Sequence, residues 1–389
     1  MSLPADLERP VYGAANLADV LPGVAAALGV TVARGDLPAD PLGLTDALAG
    51  ARRVAVLLVD GLGADLIRAH PAQAPVLNAL AAPVGVLSAP CPSTTPVALT
   101  SLGTGRPPGA HGVLGFVTDV PGEDRTLDHI RWTDDPDPLQ WQAAPTVFEQ
   151  TAAAGVASTV VGPPAFARSG LTRAAYRGSD YAPAYSPGDL VAVVHRSLTA
   201  GPRSLVYGYS ADLDLTGHLR GVDSAAWRNQ LGVVDRLVEQ LVAGLPDDGA
   251  LLVTADHGML DVPEHTRFDV DDVPELAEGV RVLAGEPRAR YVHARPGAAD
   301  DVLATWRAAL AHRAWVVSRE EAIDSGVFGP VEPGLAARIG DVVALARGSW
   351  ALVATQREPF PSRLAAYHGS LTATELAIPL LVARGAALG

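Results

Sequence analysis

Three runs of this chain are apolar at nearly every position: Val54 to Val59, Leu205 to Tyr209, and Ala250 to Ala255. A strand with one wet face alternates polar and apolar residues. A continuous short apolar run instead suits a strand covered on both faces, as in a parallel sheet packed between helices. Each run also leads into residues unsuited to a core. The first ends in Asp60 and Gly61, the second leads to Asp214 and His218, and the third ends in Asp256-His257-Gly258. Proteins of the α/β class bind ligands outside the carboxyl ends of their parallel strands. Singly, a strand-end aspartate or a buried histidine is more often structural than functional. Together these residues are expected on one edge of one sheet.

The stretch Cys91 to Gly105, followed by His111-Gly112, adds a hydroxyl. Pro96 suits the first position of a helix, where its missing N–H has no intrahelical partner. Thr95 is then expected as the N-cap, beside free N–H groups and a partial positive charge that favour a phosphate-like anion. An ordinary helix cap accounts for this stretch equally well on its own. Further along, 146–154 reads as a helix and 156–161 as a strand. Residues 225–245 carry Leu231, Val234, Leu237 and Leu241 at helical spacing with no proline before Pro246, an amphipathic helix. The acidic, proline-bearing segment 261–278 marks a boundary. Strand, helix and strand at 280–295, 302–310 and 315–317 suggest a small α+β insertion over 276–335. Strands return at 341–346 and 350–354, and His368 sits beside Gly369 ahead of a final helix and strand. The expected architecture is a single α/β domain over 1–389, an α/β/α sandwich around a mainly parallel central sheet.

Bulk properties narrow the function. A hydrophobic content of 48% over 389 residues supports a large packed core. A formal charge of −14 disfavours nonspecific nucleic-acid binding and a polybasic membrane anchor. The sequence contains no lysine, which removes P-loop and Schiff-base chemistry. Cys91 is the only cysteine, so neither an intrachain disulfide nor a thiolate zinc cluster forms. The N-terminal residues lack the pattern of a secretory signal, and no apolar run reaches membrane-spanning length. A cytoplasmic protein without a membrane or nucleic-acid partner is the expectation. Asp134, Asp135 and Asp137 lack calcium-loop spacing and read as a solvated loop. His70, His129, His195, His265, His293 and His312 show no ligand-like pairing.

Asp60, Asp214, Asp256, His218, His257 and His368 offer oxygen and nitrogen donors without sulfur. That inventory suits a catalytic pair of zinc ions, with manganese as the alternative. Two such ions can stabilise the attacking and leaving oxygens of an in-line phosphoryl displacement and lower the pKa of a nearby hydroxyl.

The ordered motifs Val-Asp-Gly, Pro-Ser-Thr-Thr, Thr-Gly-Arg-Pro-Pro-Gly-Ala-His-Gly, Asp-Leu-Thr-Gly-His, Thr-Ala-Asp-His-Gly-Met and His-Gly-Ser resemble the alkaline phosphatase superfamily. Within it they are most similar to nucleotide pyrophosphatases/phosphodiesterases. The resemblance runs from residue 54 to about 384. It implies that Asp214, His218 and His368 hold one zinc, and that Asp60, Asp256 and His257 hold a second that also contacts the nucleophile. An ungapped count from Thr104-Gly105 places that nucleophile on Thr95, whereas alignment on the following proline favours Thr94. The implied activity is hydrolysis of a phosphodiester or pyrophosphate bond in a small-molecule ester, with a nucleotide as one candidate, through a covalent phosphothreonine. Phe116 occupies the place of a family asparagine that binds a phosphoryl oxygen. Alternatives are a phosphomonoesterase, a phosphonoacetate hydrolase of the same superfamily, or a non-catalytic relative that binds metal or nucleotide.

Overall fold

A computed structural model describes residues 3–385; residues 1–2 and 386–389 of the expected single domain lie outside the described residues. Its centre is a seven-stranded sheet. In chain order the strands are β1 (Arg53–Val59), β2 (Val86–Ser88), β3 (Ala157–Gly162), β4 (Asp180–Pro183), β5 (Ser204–Ser210), β6 (Gly249–Thr254) and β7 (Ala377–Arg384). Across the sheet they lie in the order β2-β7-β6-β1-β5-β3-β4. The five strands from β6 to β4 are parallel, and β7 runs against both of its neighbours. The three continuous apolar runs are β6, β1 and β5, side by side at the middle. Their interiors are fully covered because helices pack over them, which is why they carry no alternating polar face.

The helix Ala225–Ala243 shows how the flanking layers form. Ser224 caps its start by accepting from the Trp227 N–H, and Leu231, Val234, Leu237 and Leu241 fall on one buried face. Together with Pro187–Leu198 it covers β6, β1, β5 and β3. A second group of helices includes Thr95–Thr104, packed against Gly170–Tyr176. The fold is thus α/β with a mainly parallel central sheet, as the apolar runs imply.

Two local expectations shift. The segment expected as one strand over 280–295 is a hairpin, Val280–Glu286 and Ala289–Ala294, turned at Pro287-Arg288. It joins Val342–Ala346 and Ala314–Ser318 in a separate four-stranded antiparallel sheet. The helix expected to start after a Thr95 cap begins one residue earlier. Thr94 holds the extended cap conformation, Thr95 is the first helical residue and Pro96 the second. Proline tolerates either of the first two positions, because neither N–H has an intrahelical acceptor. The motifs therefore left the helix start free by one residue.

Candidate metal centre and nucleophile

Asp60 immediately follows β1, and Asp256-His257 lie just beyond β6. Asp214 and His218 are four residues apart on the helix Asp212–Arg220, which begins directly after β5, so both project from one face. His368 follows the short strand Ala366–Tyr367. Because β6, β1 and β5 are neighbours and parallel, their carboxyl ends meet. The turn after Asp60 is tight. Gly61 has φ of +72°, and a Cβ there would stand 3.0 Å from Cβ of Asp214. Glycine both permits the left-handed turn and lets the Asp214 helix approach.

The six predicted ligands converge. One ligand atom from each of Asp60, Asp256 and His257 lies within 4.8 Å of the others, and so does one from each of Asp214, His257 and His368. His218 Nε2 is 3.1 Å from His368 Nε2 and 3.3 Å from Asp214 Oδ2. His257 Nε2 is 3.3 Å from Asp256 Oδ2 and 3.5 Å from Asp60 Oδ1. The rings of His257 and His368 stack with centroids 3.6 Å apart, so His257 stands between the two groups.

Five of the six, all but Asp214, have one atom committed to the protein and one facing inward. Nδ1 of His218 meets the Ala366 carbonyl at 2.7 Å, that of His368 meets Ser93 at 2.9 Å, and that of His257 meets Gly258 at 3.1 Å. A carbonyl only accepts, so each Nδ1 carries the proton and each Nε2 keeps a lone pair for the centre. The carboxylates are divided likewise. Asp256 Oδ1 accepts from the N–H groups of Gly61 and His257, while its Oδ2 has no partner. Tyr209 donates to Asp60 Oδ2, leaving Asp60 Oδ1 without a partner, and Asp214 Oδ1 is likewise unpartnered. Three uncommitted carboxylate oxygens beside three imidazole lone pairs form a donor set for borderline divalent cations such as zinc or manganese.

The electrostatics agree with that chemistry. Burial pushes the carboxyls of Asp60 and Asp256 up, reinforced by mutual proximity at Asp60 and by Asp214 at Asp256. Burial lifts Asp214 to about 7 against the opposing influence of His218. Burial also holds His257 down at about 3 and His368 well below the ordinary imidazole range. Burying negative charge beside neutral imidazoles is costly unless a cation compensates it.

Thr95 opens onto this centre. Its Oγ1 lies 3.4 Å from His257 Nε2. Thr94 turns elsewhere: its Oγ1 donates to Oε2 of Glu286 at 3.2 Å, inside the core. Phe116 is half-buried, and its backbone carbonyl accepts from His129. The histidines outside the motifs serve packing or surface contacts; His70 meets Asp223 and His195 meets the Leu241 carbonyl. Asp134 and Asp135 pair with Arg173 and Arg125, and Asp137 caps a helical turn at Leu139. Sequence reasoning missed Tyr209 and Glu286. Tyr209 shares a strand parity with Tyr207 and precedes Asp214 by five residues, which places it near the site. Nothing in the sequence aims its hydroxyl at Asp60.

The profile of the type I phosphodiesterase / nucleotide pyrophosphatase family matches residues 54–371. No curated protein matches the chain by sequence. Among solved structures, murine ectonucleotide pyrophosphatase / phosphodiesterase 5 is similar at 21% identity and a TM-score of 0.70, over 86% of this chain and 88% of that one. The human protein of the same name gives 18% and 0.68, over 85% and 88%. Phosphonoacetate hydrolase from Sinorhizobium meliloti, solved with phosphonoformate, gives 20% and 0.66, over 87% and 92%.

Proposed function

The chain belongs to the type I phosphodiesterase / nucleotide pyrophosphatase family, and from that premise we propose that it hydrolyses phosphodiester or pyrophosphate bonds, with Thr95 as nucleophile. The observation that carries this reading is the convergence of uncommitted donor atoms next to the Thr95 hydroxyl. Asp214, His218 and His368 would hold one divalent cation, and Asp60, Asp256 and His257 the other. Bound there, two cations supply the positive charge that lowers a hydroxyl pKa and offsets charge on the attacking and leaving oxygens. Thr95 Oγ attacks phosphorus, and its proton passes through water to the departing oxygen. The bond from phosphorus to the leaving oxygen breaks, and an alcohol or phosphate departs. Water then cleaves the phosphothreonine and restores the hydroxyl. Being first in its helix, Thr95 presents that hydroxyl beside the free N–H groups of the first turn, which favour an incoming phosphoryl anion. Thr94 does not fit the role, because its hydroxyl is engaged by Glu286 in the core.

A diester is favoured over a monoester because a dianionic phosphate demands further donors, and Phe116, in the place of the family asparagine, offers no side-chain donor. The murine relative has been solved as an inactive variant in complex with AMP, and the bacterial one with phosphonates. Both are compatible with a small phosphorus-containing substrate here.

The test is hydrolysis of bis-p-nitrophenyl phosphate and p-nitrophenyl phosphate with added zinc or manganese. The native protein is expected to favour the diester. Thr95→Ala should lose at least about 10³-fold in kcat while retaining its metal. Undiminished turnover by Thr95→Ala, or turnover of neither ester by the native protein, overturns the reading.

A further inference from the structure

Thr94 holds the cap position of the helix Thr95–Thr104, yet its hydroxyl makes no cap bond. A capping threonine ordinarily turns its oxygen toward the N–H of the second or third helical residue. Pro96, the second, has no N–H, so Val97 is the donor such a cap would take. Among the described residues neither the Val97 N–H nor the Thr95 N–H donates to any group. Both stand open at the end of the helix that carries the Thr95 hydroxyl. His257 Nε2, 3.4 Å from that hydroxyl, is 3.5 Å from the buried and unpartnered Oδ1 of Asp60, so an uncompensated donor set adjoins the same helix end.

The missing cap bond traces to Glu286, the last residue of the strand Val280–Glu286. Thr94 Oγ1 donates to its Oε2 at 3.2 Å, and its Oε1 is buried without a partner. Thr94 is therefore the single hydrogen-bond partner of this buried side chain among the described residues. Two features hold the carboxyl in place. Gly369, with φ of +129°, leaves it room, since a Cβ there would stand 2.9 Å from Glu286 Cδ. Arg288, in the adjoining turn, donates to both carboxylate oxygens of Glu375 at 2.9 and 2.6 Å, and both side chains are buried. The tip of the hairpin is pinned and cannot follow Thr94 back toward its helix.

Open N–H groups matter because of the charge at phosphorus. During the displacement negative charge lies on the phosphoryl oxygens that neither attack nor leave, and donors already aimed at it lower the barrier. Phe116 brings no side-chain donor, so backbone N–H groups take up this task. A hydroxyl capping Val97 would compete for one of them.

Resting on the phosphodiesterase reading above, we propose that Glu286 is a positioning residue for the reaction at Thr95: it draws the Thr94 hydroxyl off its own helix and so keeps the Val97 N–H free for a phosphoryl oxygen. The four-stranded sheet thereby shapes the nucleophile's surroundings through one hydrogen bond, without touching substrate.

The experiment removes first the acceptor and then the hydroxyl. Glu286→Leu frees Thr94 to cap Val97, and a cap of ordinary strength competing with substrate should lower kcat/KM on bis-p-nitrophenyl phosphate by about 10-fold. The urea midpoint of this variant should stay at or above the native one, because a cap bond is gained and a buried carboxyl removed. Thr94→Val/Glu286→Leu has no hydroxyl to cap with, so its kcat/KM should return to within about 2-fold of native. Glu286→Gln keeps an acceptor oxygen and should also stay within about 2-fold. A loss that persists in the double variant, or that comes with a lower urea midpoint or a failure to fold, makes Glu286 a packing residue and overturns the proposal. Unchanged kcat/KM in Glu286→Leu overturns it as well. Calorimetry with orthovanadate on the metal-loaded proteins reads the same effect without turnover. Glu286→Leu should bind it about 10-fold more weakly than native, and the double variant as tightly as native. Equal affinities in all three, or binding by none, overturn the proposal. If the native protein hydrolyses no diester, the phosphodiesterase reading fails, and the vanadate comparison still decides whether Glu286 governs this donor.

Discussion

Every imidazole at the centre is held by a backbone carbonyl at Nδ1, and each aspartate keeps at least one uncommitted oxygen. The side chains are therefore oriented by the fold before any ligand arrives, which is what outer partners of metal ligands do. Tyr209 is such a partner for Asp60. Tyr209→Phe keeps the ring and deletes the donor, so metal affinity should fall by about 10–100-fold, read by competition with a chromogenic chelator, while the fold persists. The buried pair Thr94 and Glu286 makes a different demand. Thr94→Val strips Glu286 of its donor and should lower stability by about 1–3 kcal/mol, measured by urea unfolding, without the catalytic loss expected of Thr95→Ala. That these six donors would converge was legible in the sequence because each interrupts or closely follows an apolar run. Tyr209 and Glu286 were not. Their partners lie 149 and 192 residues away in the chain, and no local pattern encodes which distant group a hydroxyl or carboxyl will meet.

Among the elements, the strands set the geometry and the turns allow it. The three continuous apolar runs were readable as central parallel strands because burial on both faces leaves no room for alternation. The hairpin at 280–294 was not, since Pro287-Arg288 lacks the glycine or asparagine that usually announces a two-residue turn. Its two strands therefore merge into one apolar-rich segment when read locally. The shift of the helix cap from Thr95 to Thr94 has a similar origin, in two adjacent threonines of equal capping ability. Gly61 is the turn on which the centre depends most. Gly61→Ala forces an L-residue into the left-handed region, at about 1–2 kcal/mol, and sets a Cβ against Asp214. Its urea midpoint should fall, and its metal affinity should fall with it, because Asp60 and Asp214 can no longer approach as closely.

Taken whole, the molecule buries several ionisable groups in neutral form, which ties its stability to pH. Burial holds His111 at about 3 and His129 at about 4, below the ordinary imidazole value of about 6.5. The unfolded chain therefore binds more protons than the folded one between those limits. Stability from these two residues is fully present above about pH 6.5 and is lost as pH falls toward 3 to 4. The raised carboxyls of Asp60, Asp214 and Asp256 act in the opposite sense in chelator, so the test compares the native protein with His129→Gln: the native urea midpoint should lose ground to the variant's as pH falls from about 8 to 5. Cations that bind only the folded chain should add about 2.7 kcal/mol per site at a hundredfold excess over Kd, so chelation should lower the melting temperature. The donors that would provide this linkage come from positions 60, 214, 218, 256, 257 and 368, and no short piece of the chain holds a full set. A ribosome must therefore release the chain past His257 before the first donor set is complete, and past His368 before the second is. Metal capture becomes a closing event of biogenesis, and chains arrested before His368 should emerge without their full complement of ions.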